Sequence, residues 1–75
     1  MSDSPKAAPK MKDRLEALVG EMIERGILFS EAVAQFEKQF INRSLKLHEN
    51  NITRTAEAIG LHRNTLSHKI ERYQL

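Results

Sequence analysis

Apolar positions recur along this chain with the period of a helix. In MKDRLEALVGEMIERG, Met11, Leu15, Leu18 and Met22 fall at i, i+4, i+7 and i+11, with Val19 and Ile23 beside them. That spacing predicts one wide apolar stripe on a first helix. Asp13 and Glu16 suit its first turn, Arg25 its last, and Gly26 is placed to end it in a left-handed conformation. Gly20, inside the same helix, costs about 1 kcal/mol relative to Ala and leaves room for a second helix to approach. Ser30 predicts an N-cap, with Phe29 before it as a hydrophobic staple toward Ala34. The helix that follows, about 31–48, carries Val33, Phe36, Phe40 and Leu47 on one face, widened by Ile41 and Leu45. A stripe this wide predicts packing against two bodies, the chain's own domain and a second subunit. His48-Glu-Asn-Asn51 ends it, with an Asn able to take positive φ. Thr53 is the expected cap of a short third helix, 54–59. Gly60 breaks that helix, Leu61 and His62 turn the chain, and a last helix over 63–73 buries Leu66, Ile70 and Tyr73. No strand-like alternation and no repeat interrupts this pattern. The expected fold is all-α, with four helices in each chain. The first two form a dimer bundle and the last two a helix-turn-helix.

Composition sharpens the division. Residues 1–10 contain two prolines, two alanines, two lysines and no large apolar residue except Met1, which predicts a disordered tail. Residues 11–49 are then the dimerisation helices and 50–75 the helix-turn-helix, one domain over 11–75. A chain of 75 residues without cysteine has a small core and no disulfide to reinforce it. Burial against a partner is the remaining common source of stability. Leu15, Leu18, Val19, Met22, Phe36, Phe40 and Ile41 are the expected interface of a homodimer. No apolar run approaches the length of a membrane span, and the N-terminus lacks the apolar region of a secretory signal. The expected location is the cytoplasm. Up to Asn42 there are six Lys and Arg against seven Asp and Glu; from Arg43 onward there are six against three, and all three histidines lie there. A basic rear half points to an anionic partner.

The stretch TRTAEAIGLHRNTLSHKI carries the chemistry. Two short helices joined by a tight turn containing Gly form the helix-turn-helix pattern. Ala56 lies four residues before Gly60, where a larger side chain would push the helices apart. Gly60 supplies the positive φ of the turn. Leu66 projects back between the two helices, and Ile59 and Leu61 bracket the turn. The outer face of the last helix is left with Arg63, Asn64, Ser67, His68, Glu71 and Arg72, and with Lys69 at its flank. Such a helix suits the major groove of duplex DNA. Arg63 has the geometry for a bidentate contact to guanine and Asn64 for adenine. Thr53, Arg54, Thr65, Lys69 and Arg72 have the reach and chemistry for phosphates, helped by the amide ends of both short helices.

NNITRTAEAIGLHRNTLSHKIERYQL resembles the C-terminal segment of the Fis family (factor for inversion stimulation), a module that also closes enhancer-binding activators of the NtrC type. Asn51, Thr53, Ala56, Ile59, Gly60, Leu61, Arg63, Thr65, Leu66, Lys69, Ile70 and Tyr73 stand where that pattern has its characteristic residues. FSEAVAQFEKQFINRSL is similar to the family's dimer helix. The resemblance implies a homodimer whose two recognition helices enter successive major grooves while the DNA bends. It implies backbone contacts from Asn51, Thr53 and Arg54, a base contact from Arg63, and base or backbone contacts from Asn64, Thr65 and Lys69. The family often has Arg or Lys where Ser67 and His68 stand, and Lys where Glu71 stands. Fewer phosphate partners imply weaker or more selective binding than a basic nucleoid protein shows.

No carboxylate pair, phosphate-binding glycine loop or nucleophile–base set is present. His62 and His68, six residues apart, are poorly spaced for a shared metal. The expectation is therefore no enzyme, no cofactor, no metal and no small-molecule substrate. What is expected is a bacterial transcriptional regulator or DNA-bending protein that binds duplex DNA with sequence preference. The initial Met and the lack of an ATPase segment favour a free-standing regulator over the tail of a sigma-54-type activator. A helical adaptor that binds another protein is the rival from a different class.

Overall fold

The computed structural model describes residues 7–75, with side chains from Lys10 onward. The chain is all-α, with four helices among the described residues: α1 (Ala7–Glu24), α2 (Phe29–Leu47), α3 (Ile52–Ile59) and α4 (Arg63–Tyr73). It divides into two compact units, residues up to Ala32 and Val33–Leu75.

In the first unit, α1 begins four residues before the apolar stripe does. Residues 7–10, expected in the tail, form its opening turn. The missing N–H of Pro9 is no loss there, because the first amides of a helix have no intrahelical acceptor. The remainder of the expected tail, residues 1–6, lies outside the described residues. α1 ends as its sequence predicts. Gly26 has φ 75°, its N–H donates to the Ile23 carbonyl at 3.0 Å, and Ile27 N–H donates to Met22, also at 3.0 Å. These two bonds form a Schellman closure. The stripe itself is bare: Met11 and Ile23 are each 70% exposed, and Leu15, Leu18 and Val19 are exposed as well. Met22 is half-buried. A Cβ added at Gly20 would meet nothing within 4 Å.

The start of α2 differs from expectation by two residues. Leu28, not Ser30, occupies the cap position. Its carbonyl accepts from Ala32 N–H at 2.9 Å, and its N–H donates to the Glu31 carboxylate at 3.1 Å. The acid at the third helical position thus supplies one arm of a capping box, and the Ser30 hydroxyl is not needed. Phe29 is 85% exposed and staples nothing.

The second unit contains the core. Ile41 and Leu45 from α2, Ala56 from α3 and Leu66 from α4 are buried together, with Ile52, Ile59, Leu61 and Ile70 packed around them. Ile41 therefore departs from its expected place at a dimer interface, since it is only 3% exposed within its own chain. The reason lies in the width of the α2 stripe. Ile41, Ser44 and Leu45 share the face turned to α3 and α4, while Phe36 and Phe40 lie on a neighbouring face that stays exposed. The two buried hydroxyls have partners. Ser44 donates to the Phe40 carbonyl and Thr55 to the Asn51 carbonyl, each at 2.7 Å.

α2 ends on an unusual residue. Glu49 at φ 55° donates its N–H to Lys46 at 3.3 Å, and Asn50 donates to Leu45 at 2.7 Å. The expected Asn with positive φ is Asn50, at 63°, but the residue that closes the helix is Glu49. A left-handed conformation costs a residue with a side chain about 1–2 kcal/mol, and a carboxylate at a helix C-terminus opposes the helix dipole. Glu49→Gly is therefore expected to raise the unfolding free energy by about 1 kcal/mol. An unchanged denaturant midpoint would contradict this account of the turn.

Candidate nucleic-acid interface

α3 and α4 are held in relation by one glycine, one alanine and one leucine. Gly60 has φ 77°, and both its own N–H and that of Leu61 reach back to the Ala56 carbonyl. A Cβ added at Gly60 would meet nothing within 4 Å. The position needs glycine for its backbone conformation, not for space. Ala56 is 2% exposed and Leu66 0%. The small residue lies at the crossing and the leucine fills the gap, as the spacing predicted.

Each helix of the pair has a side-chain cap. The Asn51 Oδ1 accepts from Arg54 N–H at 3.0 Å, so Asn51, not Thr53, caps α3. The helix accordingly starts at Ile52, whose side chain packs against the core, and Thr53 is an exposed residue of the first turn. At α4, His62 adopts an extended conformation and its Nδ1 accepts from Asn64 N–H at 3.1 Å. That bond requires an unprotonated Nδ1, which leaves the proton of the neutral ring on Nε2. The capping role of His62 was not legible in the sequence, because His is not among the favoured N-cap residues.

Most of the residues expected to contact DNA are exposed. Asn51, Thr53 and Arg54 are exposed at the start of α3, and Arg63, Asn64, Thr65, His68 and Arg72 are exposed on α4. Ser67 is half-buried. Lys69 is the exception. Its ammonium lies 3.0 Å from the Glu37 carboxylate on α2, with both side chains about three-quarters buried at 23% and 28% exposure. The Tyr73 hydroxyl donates to the same Glu37 oxygen at 2.7 Å. The bond from Tyr73, then that from Lys69, holds the Glu37 carboxyl below its ordinary range. The Tyr73 phenol is raised, chiefly because it donates to that carboxylate. Lys69, expected at the flank of the outer face, is thus engaged by Glu37. Sequence reasoning missed Glu37 because it lies 32 residues from Lys69, beyond the reach of any local pattern.

An open apolar cleft of about 170 Å³ adjoins this clamp, lined by Phe36, Phe40, Ile41, Ile59 and Leu61, with Glu37 and Lys69 as its polar members. Among the described residues no His, Asp or Glu side chains cluster as a metal site, and no helix is long and apolar enough to cross a membrane.

A tight left-handed turn between two capped helices, with arginine and asparagine bared at the start of the second, defines a helix-turn-helix DNA-binding regulator. The family model described as "Bacterial regulatory protein, Fis family" matches residues 32–73, more than half of the chain. The protein belongs to that family. Among curated proteins and among solved structures, nothing matches the chain at a significant level.

Proposed function

We propose that this protein binds duplex DNA with sequence preference as a homodimer, acting at the bacterial nucleoid as a transcriptional regulator or DNA-bending protein. The observation that carries the DNA reading is Arg63, exposed in the first turn of α4 directly after the Gly60 turn. From that position a guanidinium reaches base edges when the helix lies in a major groove. Asn64, Thr65 and His68 extend the same exposed surface, and Arg54 and Arg72 supply phosphate contacts. The site offers binding groups and no catalytic set. Titration of a duplex at increasing salt tests it: the slope of log affinity against log salt is about −0.9 for each phosphate contact in B-DNA. Absence of binding at low salt would leave the helical-adaptor reading in its place.

The dimer rests on uncovered apolar surface. Phe36 and Phe40 are 61% and 48% exposed, with ring centroids 5.4 Å apart. Leu15, Leu18 and Val19 are likewise open. A soluble monomer rarely leaves this many large apolar side chains in water. The reading assigns that surface to a second copy of the chain. The Phe36→Ala/Phe40→Ala variant is expected to sediment as a monomer or to lose its helical signal. A parent that sediments as a stable monomer at micromolar concentration would remove the homodimer.

A further inference from the structure

The DNA reading of α4 leaves three groups unused: Glu37, Lys69 and Tyr73. Lys69 and Tyr73 are i and i+4 on α4, so they share one flank of the helix. Both reach a single carboxylate oxygen on α2, at 3.0 Å and 2.7 Å. Asn64, His68 and Arg72, also spaced by four, lie on a different flank and are exposed. The lysine is thus turned to the inside of its own unit, beside the apolar cleft that Phe36, Phe40 and Leu61 line.

We propose that Glu37 is a positioning residue for DNA recognition: it fastens the flank of α4 through Lys69 and Tyr73, and it withholds the Lys69 ammonium from phosphate. The proposal rests on the DNA reading above and refines it. Apolar packing on α3 holds one flank of α4, through Leu66. Glu37 holds the flank that carries Lys69 and Tyr73. Two donors sharing one acceptor oxygen restrict rotation of the helix more than an isolated surface ion pair does, because each constrains a different turn of α4. The electrostatic consequence is a smaller phosphate-binding set than the sequence suggests. The exposed cations of α3 and α4 are Arg54, Arg63 and Arg72, and Glu57 and Glu71 are exposed alongside them. With Lys69 neutralised, non-specific attraction to DNA is reduced, and base contacts account for a larger share of the binding.

The test is the salt dependence of affinity for a duplex selected from a random pool, measured for the full chain. Lys69→Met is expected to keep the parent slope, since the lysine makes no phosphate contact, and a methionine suits the apolar lining of the cleft. Glu37→Gln is expected to steepen the slope by about 0.9 for each subunit on the duplex, about 1.8 for the homodimer, the contribution of one phosphate contact per freed ammonium. The double variant Glu37→Gln/Lys69→Met is expected to return to the parent slope. A Lys69→Met slope shallower by about 0.9 per subunit, about 1.8 for the homodimer, would overturn the proposal, as would a Glu37→Gln slope equal to that of the parent. If Glu37→Gln does not fold, the Lys69→Met result alone decides. A parent that binds no duplex removes the DNA reading and this proposal together. A parent that binds normally, with a shallower Lys69→Met slope, removes only the proposal.

Discussion

Leu66→Ala is expected to unfold residues 33–75. The leucine has no exposed surface and is the one fully buried apolar side chain that α4 contributes to a core of four buried apolar residues. Removing three carbons from such a site costs the transfer free energy of the atoms and leaves a cavity, together about 2–5 kcal/mol. A domain of this size without disulfides has a total stability of only a few kcal/mol. The loss is therefore comparable to everything that holds the unit folded. Relaxation cannot recover much, because Ala56 on the facing helix is already minimal and the turn at Gly60 restrains the approach of the two helices. Circular dichroism with denaturant titration provides the measurement. Leu47→Ala serves as its counterpart, since Leu47 is 81% exposed and its truncation should change stability little. A Leu66→Ala variant that melts within about 1 kcal/mol of the parent would mean that α3 and α4 are held by something other than this core.

Arg63→Ala is expected to leave the fold intact and abolish most of the sequence preference. Arg63 is exposed, and the α4 cap comes from His62 rather than from the arginine, so truncation removes no buried contact. A bidentate arginine–guanine pair contributes about 1–3 kcal/mol of discrimination, roughly fivefold to 150-fold between the preferred base and another. In a homodimer the loss occurs once in each half-site. Affinity for unrelated duplexes should fall far less, by the equivalent of at most one phosphate contact. Arg72→Ala is the contrast, because a phosphate contact carries no sequence information and its loss weakens all duplexes alike. Competition titrations with preferred and scrambled duplexes separate the two variants. An Arg63→Ala protein that retains the parent's preference would show that base reading lies elsewhere on α4, with Asn64 and His68 the nearest exposed candidates.

Much of this protein is legible in its periodicity. The apolar spacing of Leu66 and Ile70 identified the inner face of α4, and its boundaries agree with the sequence reading. Helix stops that depend on glycine were equally plain, at Gly26 and Gly60. Caps were less so. Thr53 and Ser30 were reasonable by residue type, yet Asn51 caps α3, and at α2 the Glu31 carboxylate supplies the capping bond. Several nearby residues can satisfy the same amide, and a small difference in backbone geometry selects among them. Glu49 and Gln74 in left-handed conformations were invisible, since neither residue type signals that conformation.

The amino-acid order alone determined the four helices, the turn between the last two, and the burial of Leu66, because these depend on neighbours within one or two turns. Tertiary packing decided which part of the broad α2 stripe became core. Ile41 and Leu45 went inward, and Phe36 and Phe40 stayed outside. It also decided that Lys69 meets Glu37. A helical period shows that a face is apolar or that a residue is charged. Only the approach of a second helix, brought from 32 residues away, divides that face and gives the charge its partner.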